Sequence, residues 1–473
     1  MIKPSFPTME DTRKEKITMH IYKKRIQQAI ATLLCGMTSF SLFACAWNTP
    51  KLPQYEKQDF VFFGFWSPYE QTEESYTLYK EAGLNTMFFV NHSFPVRNSD
   101  NLCYLGSNAT KKSLELCRKV GLKAIPNYGG WYYELAEGKY FDSTPFSDYN
   151  IYGEYKDIIV GMHIADEPSY SGIDYYGNDV FTADYQSVYD VPYMVNLFPN
   201  YANGSQVGEN GYRAYVQKYV DEIITDFDKN RLMAVDYYPF QAHGFNPTWL
   251  TCYNDIAQLA KETNSKKSYY IQTAVDHEFR DEIGRAEIGM QLNVAMAFGA
   301  DWFGFYCYEV PRNYEGDTYT PMYPYCMLNP DGTPSPLYYA VQSETARVAG
   351  YSDAYLSYDW VKTVPVAKAG TSGGGALRML GEIDFAGTSI KQAISTEDAI
   401  VGCFSSDKGE AFMVVNYGDP KETRIGDIEL EFNTESKYAA VYGLDDVVQI
   451  VKLEKGKLNM QLPTGEGCFV TLL

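Results

Sequence analysis

The chain has 473 residues, more than one ordinary domain, so it holds either several domains or a large barrel with an additional domain. Its net charge of −20 at pH 7 argues against nucleic acid and anionic membrane surfaces as partners. Aromatic residues make up 16% of the chain and include 42 tyrosines, which suit ligands with apolar faces and hydroxyl edges, as sugars have.

Residues 1–50 are predicted to be a targeting segment. Basic residues at 23–25 precede an apolar run that ends at Cys45 and is too short to span a bilayer. Residues 42–45 resemble a bacterial lipobox, in which the cysteine is lipidated after cleavage, although Phe43 stands where a small residue is usual. We therefore expect an exported lipoprotein of the cell envelope, with lipidated Cys45 at its mature N-terminus, at the outer membrane or in the periplasm.

From Phe60 to about Gly350, apolar strand-like runs alternate with helix-like stretches, which is typical of a parallel sheet. Eight such units predict a (β/α)8 TIM barrel with insertions. An open doubly wound sheet is the alternative, but no G-x-G-x-x-G motif follows the first strand. The predicted strands are Phe60–Trp66, Leu84–Val90, Leu122–Tyr128, Ile159–Ile164, Tyr193–Leu197, Leu232–Tyr237, Ser268–Ala274 and Trp302–Tyr308.

Amphipathic helices are predicted between these strands. Gly83 and Gly121 follow two of them, at the position where a helix C-cap favours a left-handed residue. The predicted helices are Glu73–Ala82, Lys111–Val120, Arg213–Asp228 and Glu278–Phe298.

After Tyr355 the pattern changes to short alternating strands separated by turn residues, which predicts an antiparallel β-sandwich. We expect a targeting segment over 1–50, a catalytic barrel over 51–355 and an accessory sandwich over 356–473. The predicted sandwich strands are Ala399–Ser405, Ala411–Tyr417, Ile428–Phe432, Tyr438–Tyr442, Val447–Leu453 and Cys468–Leu473.

Cysteine spacing predicts neither disulfides nor a zinc site. The nine cysteines are an odd, dispersed set without a C-x-x-C pair. Most of those beyond the targeting segment are expected to be small buried hydrophobic residues.

The residues that end the predicted strands combine carboxylates, amides and aromatic rings, and a barrel of this kind builds its active site from strand carboxyl ends. Asp166-Glu167 ends strand four, where Pro168 stops the strand because it has no backbone N–H. A capped turn, with Asp166 bonded to backbone amides and Glu167 in solvent, is the alternative interpretation. The other candidates are Asn91, His92, Asn127, Tyr128, Trp131, Asn196, Asp236, Tyr238, Gln272 and Glu309.

These residue types favour cleavage of a glycosidic bond. One carboxylic acid protonates the leaving oxygen, while a second carboxylate attacks the sugar or activates water. The chain has no P-loop and no H-E-x-x-H motif, so we expect no cofactor and no metal. His163, within strand four, is expected to be a core residue.

The segment Gly161-Met-His-Ile-Ala-Asp-Glu-Pro168 resembles the fourth-strand signature of the clan A glycoside hydrolases, above all the family 42 β-galactosidases and their relatives in gut Bacteroidetes. Residues 234–240 and the stretch from Gln272 to Tyr308 are similar to the same enzymes, so the resemblance covers about residues 60–350. It implies a glycoside hydrolase acting on an oligo- or polysaccharide of plant or host origin, with Glu167 as general acid/base.

The family's nucleophile, a glutamate that ends strand seven, corresponds to Gln272, whose amide cannot act as a nucleophile. Three alternatives could supply the second carboxylate: Asp236, which we prefer, Glu309, or the pair Asp276 and Glu278 in the loop after strand seven. A glycan-binding surface lipoprotein that has lost turnover is the remaining hypothesis.

Overall fold

A computed structural model of the chain describes residues 50–89, 102–105, 111–126, 130–134, 139–143, 154–176, 191–224, 231–242, 244–275, 282–315, 318–444 and 447–473.

Strands β1 to β15 occupy the N-terminal two thirds of the described chain. They are β1 Val61–Gly64, β2 Thr86–Phe88, β3 Leu102–Leu105, β4 Lys123–Ile125, β5 Gly130–Glu134, β6 Lys139–Ser143, β7 Met162–Asp166, β8 Tyr193–Leu197, β9 Leu232–Val235, β10 Phe240–Gln241, β11 Gly244–Phe245, β12 Lys266–Gln272, β13 Trp302–Tyr306, β14 Arg312–Glu315 and β15 Thr318–Pro321.

Eight of these strands form the predicted barrel. Parallel pairing joins β1, β13, β12, β9, β8 and β7 in that order, and β2 pairs in parallel with β4. Backbone hydrogen bonds close the ring: Asn85 N–H donates to Phe62 O at 3.1 Å, and Val160 N–H donates to Ala124 O at 3.0 Å. The fourth, sixth, seventh and eighth strands of the ring are therefore β7, β9, β12 and β13.

The remaining strands of this region lie outside the ring. They form the antiparallel sheet β3-β5-β6 and the two hairpins β10-β11 and β14-β15. The hairpin β14-β15 follows the last barrel strand.

The helices lie between the barrel strands and after the ring. They are α1 Glu73–Glu81, α2 Lys111–Val120, α3 Ile173–Tyr176, α4 Gly204–Val207, α5 Tyr212–Tyr219, α6 Trp249–Glu262, α7 Arg285–Ala297, α8 Pro336–Ala349, α9 Ser352–Tyr355 and α10 Gly375–Leu380.

Two predicted helices differ from the structure in their bounds. Helix α7 begins at Arg285 rather than Glu278, after an N-cap at Gly284. The predicted helix Arg213–Asp228 is α5, which continues into a π-helical turn over Val220–Ile224. In the described part of the chain, no helix is both long and apolar enough to cross a membrane.

The C-terminal region forms the predicted antiparallel sandwich. Its inner residues, such as Val401, Phe412 and Leu430, make a separate apolar core. One sheet has the order β16-β18-β19-β24-β21-β22 and the other β17-β20-β23. The strands are β16 Asp359–Val366, β17 Ile390–Ser395, β18 Ala399–Ser406, β19 Gly409–Asn416, β20 Ile425–Phe432, β21 Tyr438–Tyr442, β22 Gln449–Lys452, β23 Lys457–Pro463 and β24 Gly467–Leu472. Strands β16, β17 and β23 were not predicted from the sequence.

Helix α7 packs between the barrel and the sandwich. Every residue from Glu287 to Ala297 is buried, so the helix has no polar outer face. The Trp360 indole N–H donates to Ala297 O at 3.1 Å. A Cβ at Gly402 would lie 2.3 Å from that same oxygen, so only glycine allows the sheet to approach this closely. The helix is therefore packed against the barrel on one side and against a sheet of the sandwich on the other.

Candidate active site

Glu167 stands at the turn that ends β7. Its φ of +46° is left-handed, a conformation that costs a non-glycine residue about 1–3 kcal/mol. The backbone N–H of Glu167 donates to Asn196 O on β8 at 2.8 Å, which fixes the turn. This backbone turn presents the Glu167 side chain, which is half-buried, at the carboxyl-end rim of the barrel.

Asp236 directly follows β9 and meets Glu167 on this rim. The two carboxyl groups lie near one another, and each shifts the pKa of the other. Asp236 is only 6% exposed, and the Tyr238 hydroxyl donates to its Oδ2 at 3.3 Å. Because two nearby carboxylates repel, ionisation of one favours a proton on the other.

Burial raises the pKa of both carboxyl groups. The pKa of Glu167 rises to about 7, through desolvation and then the charge of Asp166. The pKa of Asp236 lies well above its usual range, through desolvation and then the charge of Glu167. The pair therefore carries a proton near neutral pH, and the deeper burial of Asp236 favours that residue as its holder.

Asp166, the last residue of β7, is the third carboxylate of the group. Its side chain is open to solvent on one side, while the surrounding protein desolvates it enough to raise its pKa to about 6. The buried Asn196 amide donates to Asp166 Oδ1 at 2.9 Å. Asn196 thus orients Asp166 and the Glu167 backbone, and Asp166 is the member that faces the solvent.

Two tyrosines that the strand-end rule missed lie beside the carboxylates. Tyr201, in the loop after β8, is 44% exposed, and desolvation of its hydroxyl, followed by the charge of Asp236, raises the pKa of that group. Tyr270, on β12, is fully buried, and burial and then the charges of Asp166 and Asp236 raise its pKa. Side-chain alternation along β12 was a usable signal for Tyr270, whereas no pattern in the sequence pointed to Tyr201.

Gln272, predicted to contact substrate, is fully buried and bonded to the backbone. Its Oε1 accepts from Phe240 N–H at 3.0 Å, and its Nε2 donates to Phe240 O at 3.1 Å. This corrects the prediction: Gln272 fastens the segment after Asp236 to β12 and has no exposed surface to offer a ligand. Tyr238 is likewise mostly buried, with its ring 5.1 Å from that of Tyr306.

Glu309 does not join the carboxylate pair. Its Oε2 accepts from Tyr69 N–H at 2.9 Å, which ties the segment after β13 to the segment after β1. Burial raises the pKa of Glu309 to about 7, and the groups that modify this pKa are Tyr69, Arg312 and Glu70. The eighth strand lies across the ring from the fourth, so Glu309 and Glu167 occupy opposite sides of the rim.

Several predicted site residues cannot be placed. Asn91, His92, Asn127, Tyr128, the loop carboxylates Asp276 and Glu278, and the lipidation candidate Cys45 lie outside the described residues. Trp131 belongs to β5, but its side chain is outside the description.

His163 packs edge-on against Phe88, with ring centroids 4.9 Å apart, and burial lowers its pKa to about 3, as expected for a core residue. Within the described ranges, no group of three or more His, Cys, Asp or Glu side chains could hold a metal ion.

The raised pKa values predict that the site destabilises the fold as pH rises. Asp166, Glu167 and Asp236 bind protons more tightly in the folded than in the unfolded chain. Their stabilising contribution is thus complete below about pH 4 and is lost as pH rises through about 7. Asp236→Asn should raise the melting temperature by about 1–3 °C at pH 8 and leave it unchanged at pH 4.

Calorimetry at both pH values checks this expectation. Asp359→Asn, at an exposed position on the sandwich, is the matched control and should have no effect at either pH. A lower melting temperature of Asp236→Asn at pH 8 would show that ionisation of these carboxyl groups does not destabilise the fold.

Comparison with solved structures found proteins of similar architecture at low identity. The chain is similar to a 4-O-α-L-rhamnosyl-β-D-glucuronidase from Fusarium oxysporum, at 12% identity and a TM-score of 0.43, covering 90% of this chain and 99% of that one. It is also similar to an α-amylase from Lactobacillus plantarum, at 10% identity and a TM-score of 0.42, covering 87% and 98%.

An endo-β-1,4-mannanase from Thermotoga petrophila is a further structural neighbour, at 13% identity and a TM-score of 0.35, covering 86% of this chain and 98% of that one. These scores are too low to assign the chain to a family. No family model matches the sequence, and a search of curated proteins found no match.

Proposed function

We propose that the protein is a glycoside hydrolase in which Glu167 and Asp236 carry the chemistry. The pair of neighbouring carboxyl groups with raised pKa values on the rim of the barrel is the observation that supports the proposal. Hydrolysis of a glycosidic bond needs one protonated and one ionised carboxyl group, and a coupled pair supplies both near neutral pH.

We assign the leaving group to Glu167 because its side chain is the more exposed of the two, whereas Asp236 reaches the sugar or the water only after the pair opens. Transfer of a proton from Asp236 to Glu167 leaves the Asp236 carboxylate ionised and the Glu167 carboxyl group protonated. Glu167 then donates the proton to the glycosidic oxygen as the bond breaks. Asp236 attacks the sugar carbon or takes a proton from the attacking water.

The pair must open before this chemistry can take place. Retaining enzymes hold their two carboxyl groups about 5–5.5 Å apart, and inverting enzymes hold them farther apart, which leaves room for the sugar or for water. Glu167 lies on the turn, whereas Asp236 is fixed by Tyr238. Substrate binding therefore has to turn the Glu167 side chain outward.

A non-catalytic glycan-binding barrel is the second candidate function. Gln272 favours it, because the position that matches the family's nucleophile is an amide engaged with Phe240. The two functions differ in turnover alone. The purified full chain should be screened against aryl glycosides and polysaccharides, with hydrolysis and binding measured on the same samples. Release of reducing sugar supports the hydrolase, whereas binding without release from any substrate supports the binding protein.

Tyr201 is proposed as a stacking platform for a sugar ring beside the pair. Stacking contributes to binding, not to bond cleavage, so Tyr201→Ala should raise KM roughly tenfold, the equivalent of about 1.4 kcal/mol, and change kcat little. Tyr339→Ala is the matched control, since Tyr339 is 58% exposed on α8 and should leave both constants unchanged. A fall in kcat with constant KM would contradict the platform role.

Export with a lipidated Cys45 is proposed from the sequence of residues 1–50. Mass spectrometry of the mature protein from membranes tests it. Diacylglyceryl-cysteine at position 45 is the expected result, and an intact cytoplasmic N-terminus would overturn the proposal.

A further inference from the structure

Two cysteines that are 19 residues apart in the chain lie next to each other just after the eighth barrel strand. The Cys307 thiol donates to the Cys326 sulfur, with the two Sγ atoms 2.8 Å apart. A disulfide bond is about 2.05 Å long, so a small movement of the side chains would bring the sulfurs to bonding distance. Both residues are fully buried in an apolar cluster with Ala274, Val310 and Tyr323.

The backbone holds the two residues in this position. Met327 N–H donates to Cys307 O at 3.2 Å, and Leu328 N–H donates to Tyr308 O at 2.9 Å. The Thr273 hydroxyl also donates to Cys307 O, at 3.3 Å. Backbone hydrogen bonds therefore join the segment that carries Cys307 to the residues directly after Cys326, which keeps the two cysteines next to each other.

We infer that Cys307 and Cys326 form a disulfide bond in the mature protein. The inference concerns a covalent modification of the fold and does not depend on the proposed hydrolase activity. The dispersed spacing of the cysteines predicted unpaired thiols, but the hairpin β14-β15 between these two returns the chain to the end of β13.

The bond forms by thiol–disulfide exchange with an external disulfide, such as oxidised glutathione or a disulfide-carrying oxidase. One thiolate attacks the external disulfide and releases one thiol, and the second thiolate then displaces the other. The two cysteines together lose two protons and two electrons, and the oxidant is reduced to two thiols. Export into an oxidising compartment would supply such an oxidant.

Burial determines when the exchange takes place. Both thiols are fully buried, so an external disulfide cannot reach them in the folded protein, and burial also raises the pKa of the Cys307 thiol well above its usual range. The bond therefore forms before the segment closes, and once formed it is shielded from external thiols. It closes a loop that contains β14-β15, next to Tyr306, whose ring packs on Tyr238 of the candidate site.

Peptide mapping tests the inference. The full chain, produced in cells with an oxidising cytosol and purified without reductant, is alkylated in denaturant and digested with trypsin. Cleavage after Arg285, Arg312 and Arg347 separates Cys307, in peptide 286–312, from Cys326, in peptide 313–347. We expect these two peptides joined, lighter by two hydrogen atoms than their sum, and separated by reduction.

Thermal unfolding gives a second readout. Reductant present during unfolding should lower the melting temperature of the oxidised protein by roughly 3 °C, the effect of opening one loop of this size. Cys307→Ser and Cys326→Ser should abolish both the joined peptide and this sensitivity to reductant. Cys117→Ser, at a buried cysteine on α2, should keep both. Alkylated Cys307 and Cys326 in protein that unfolds cooperatively would overturn the inference.

Discussion

Glu167→Gln is expected to slow hydrolysis of natural glycans by on the order of 10²–10⁴, the usual contribution of general acid catalysis. The amide cannot donate a proton to the departing sugar oxygen, so substrates with poor leaving groups lose the most. Aryl glycosides with an activated leaving group need little protonation and should react at close to the wild-type rate. Initial rates on both substrate classes, at saturating concentration, measure the difference.

Two companion variants make the result specific. Asp236→Asn should slow both substrate classes, because it removes the group that attacks the sugar or activates water. Glu309→Gln should leave both rates close to wild type, since Glu309 accepts a hydrogen bond from Tyr69 on the other side of the rim. Full activity of Glu167→Gln on a natural glycan would refute the assignment, and inactivation by Glu309→Gln would move the second carboxylate to strand eight.

Gln272→Glu is expected to destabilise the fold by about 3–5 kcal/mol at pH 8 and to add no activity. An ionised carboxylate would face the Phe240 carbonyl that now accepts from Gln272 Nε2. A protonated glutamic acid could still donate to that carbonyl, so the variant should be nearly as stable as wild type at pH 4. The folded-state pKa of the new side chain is raised, and stability is lost as pH rises. Urea unfolding at the two pH values measures the change.

The opposite result would indicate that the end of strand seven can still position a catalytic carboxylate. If strand seven still offered the geometry of a nucleophile, Gln272→Glu would increase hydrolysis with no large loss of stability. Gln392→Glu, at an exposed position on β17, is the control and should change stability little at either pH. Equal destabilisation at pH 4 and pH 8 would show that shape, and not charge, decides what this position tolerates.

The barrel could be predicted from the sequence because its strands are short apolar runs bounded by turn residues. Tyr193–Leu197 and Lys111–Val120 have the bounds that were predicted. Strand β17 was missed because its outward residues Lys391, Gln392 and Ile394 mix polar and apolar character on an exposed face. Local patterning reports burial, so elements whose exposed faces do not alternate are the ones it overlooks.

The candidate site was only partly predictable, because strand ends specify a rim but not the distances across it. The positions of the strand ends pointed to Glu167 and Asp236 as candidates. Nothing in the local sequence showed that these two carboxyl groups lie near each other, or that the Gln272 side chain is hydrogen-bonded to the Phe240 backbone. Those facts depend on where the segment after β9 turns back over β12, a nonlocal contact. Cys307 and Cys326 illustrate the same limit, since their approach depends on the return of β14-β15.

The position of β24 sets an order of events during synthesis. This last strand pairs with both β19 and β21, so it is central in its sheet although it is the final one to leave the ribosome. The Asn293 side chain of α7 also donates to Gly465 O, just before β24, at 3.0 Å. The part of α7 that contacts β24 therefore stays uncovered until translation is nearly finished, although β18 and β19 can cover the rest of the helix earlier. A ribosome that stalls before Gly467 would leave β19 and β21 without the strand that joins them, and such open strand edges are prone to aggregate.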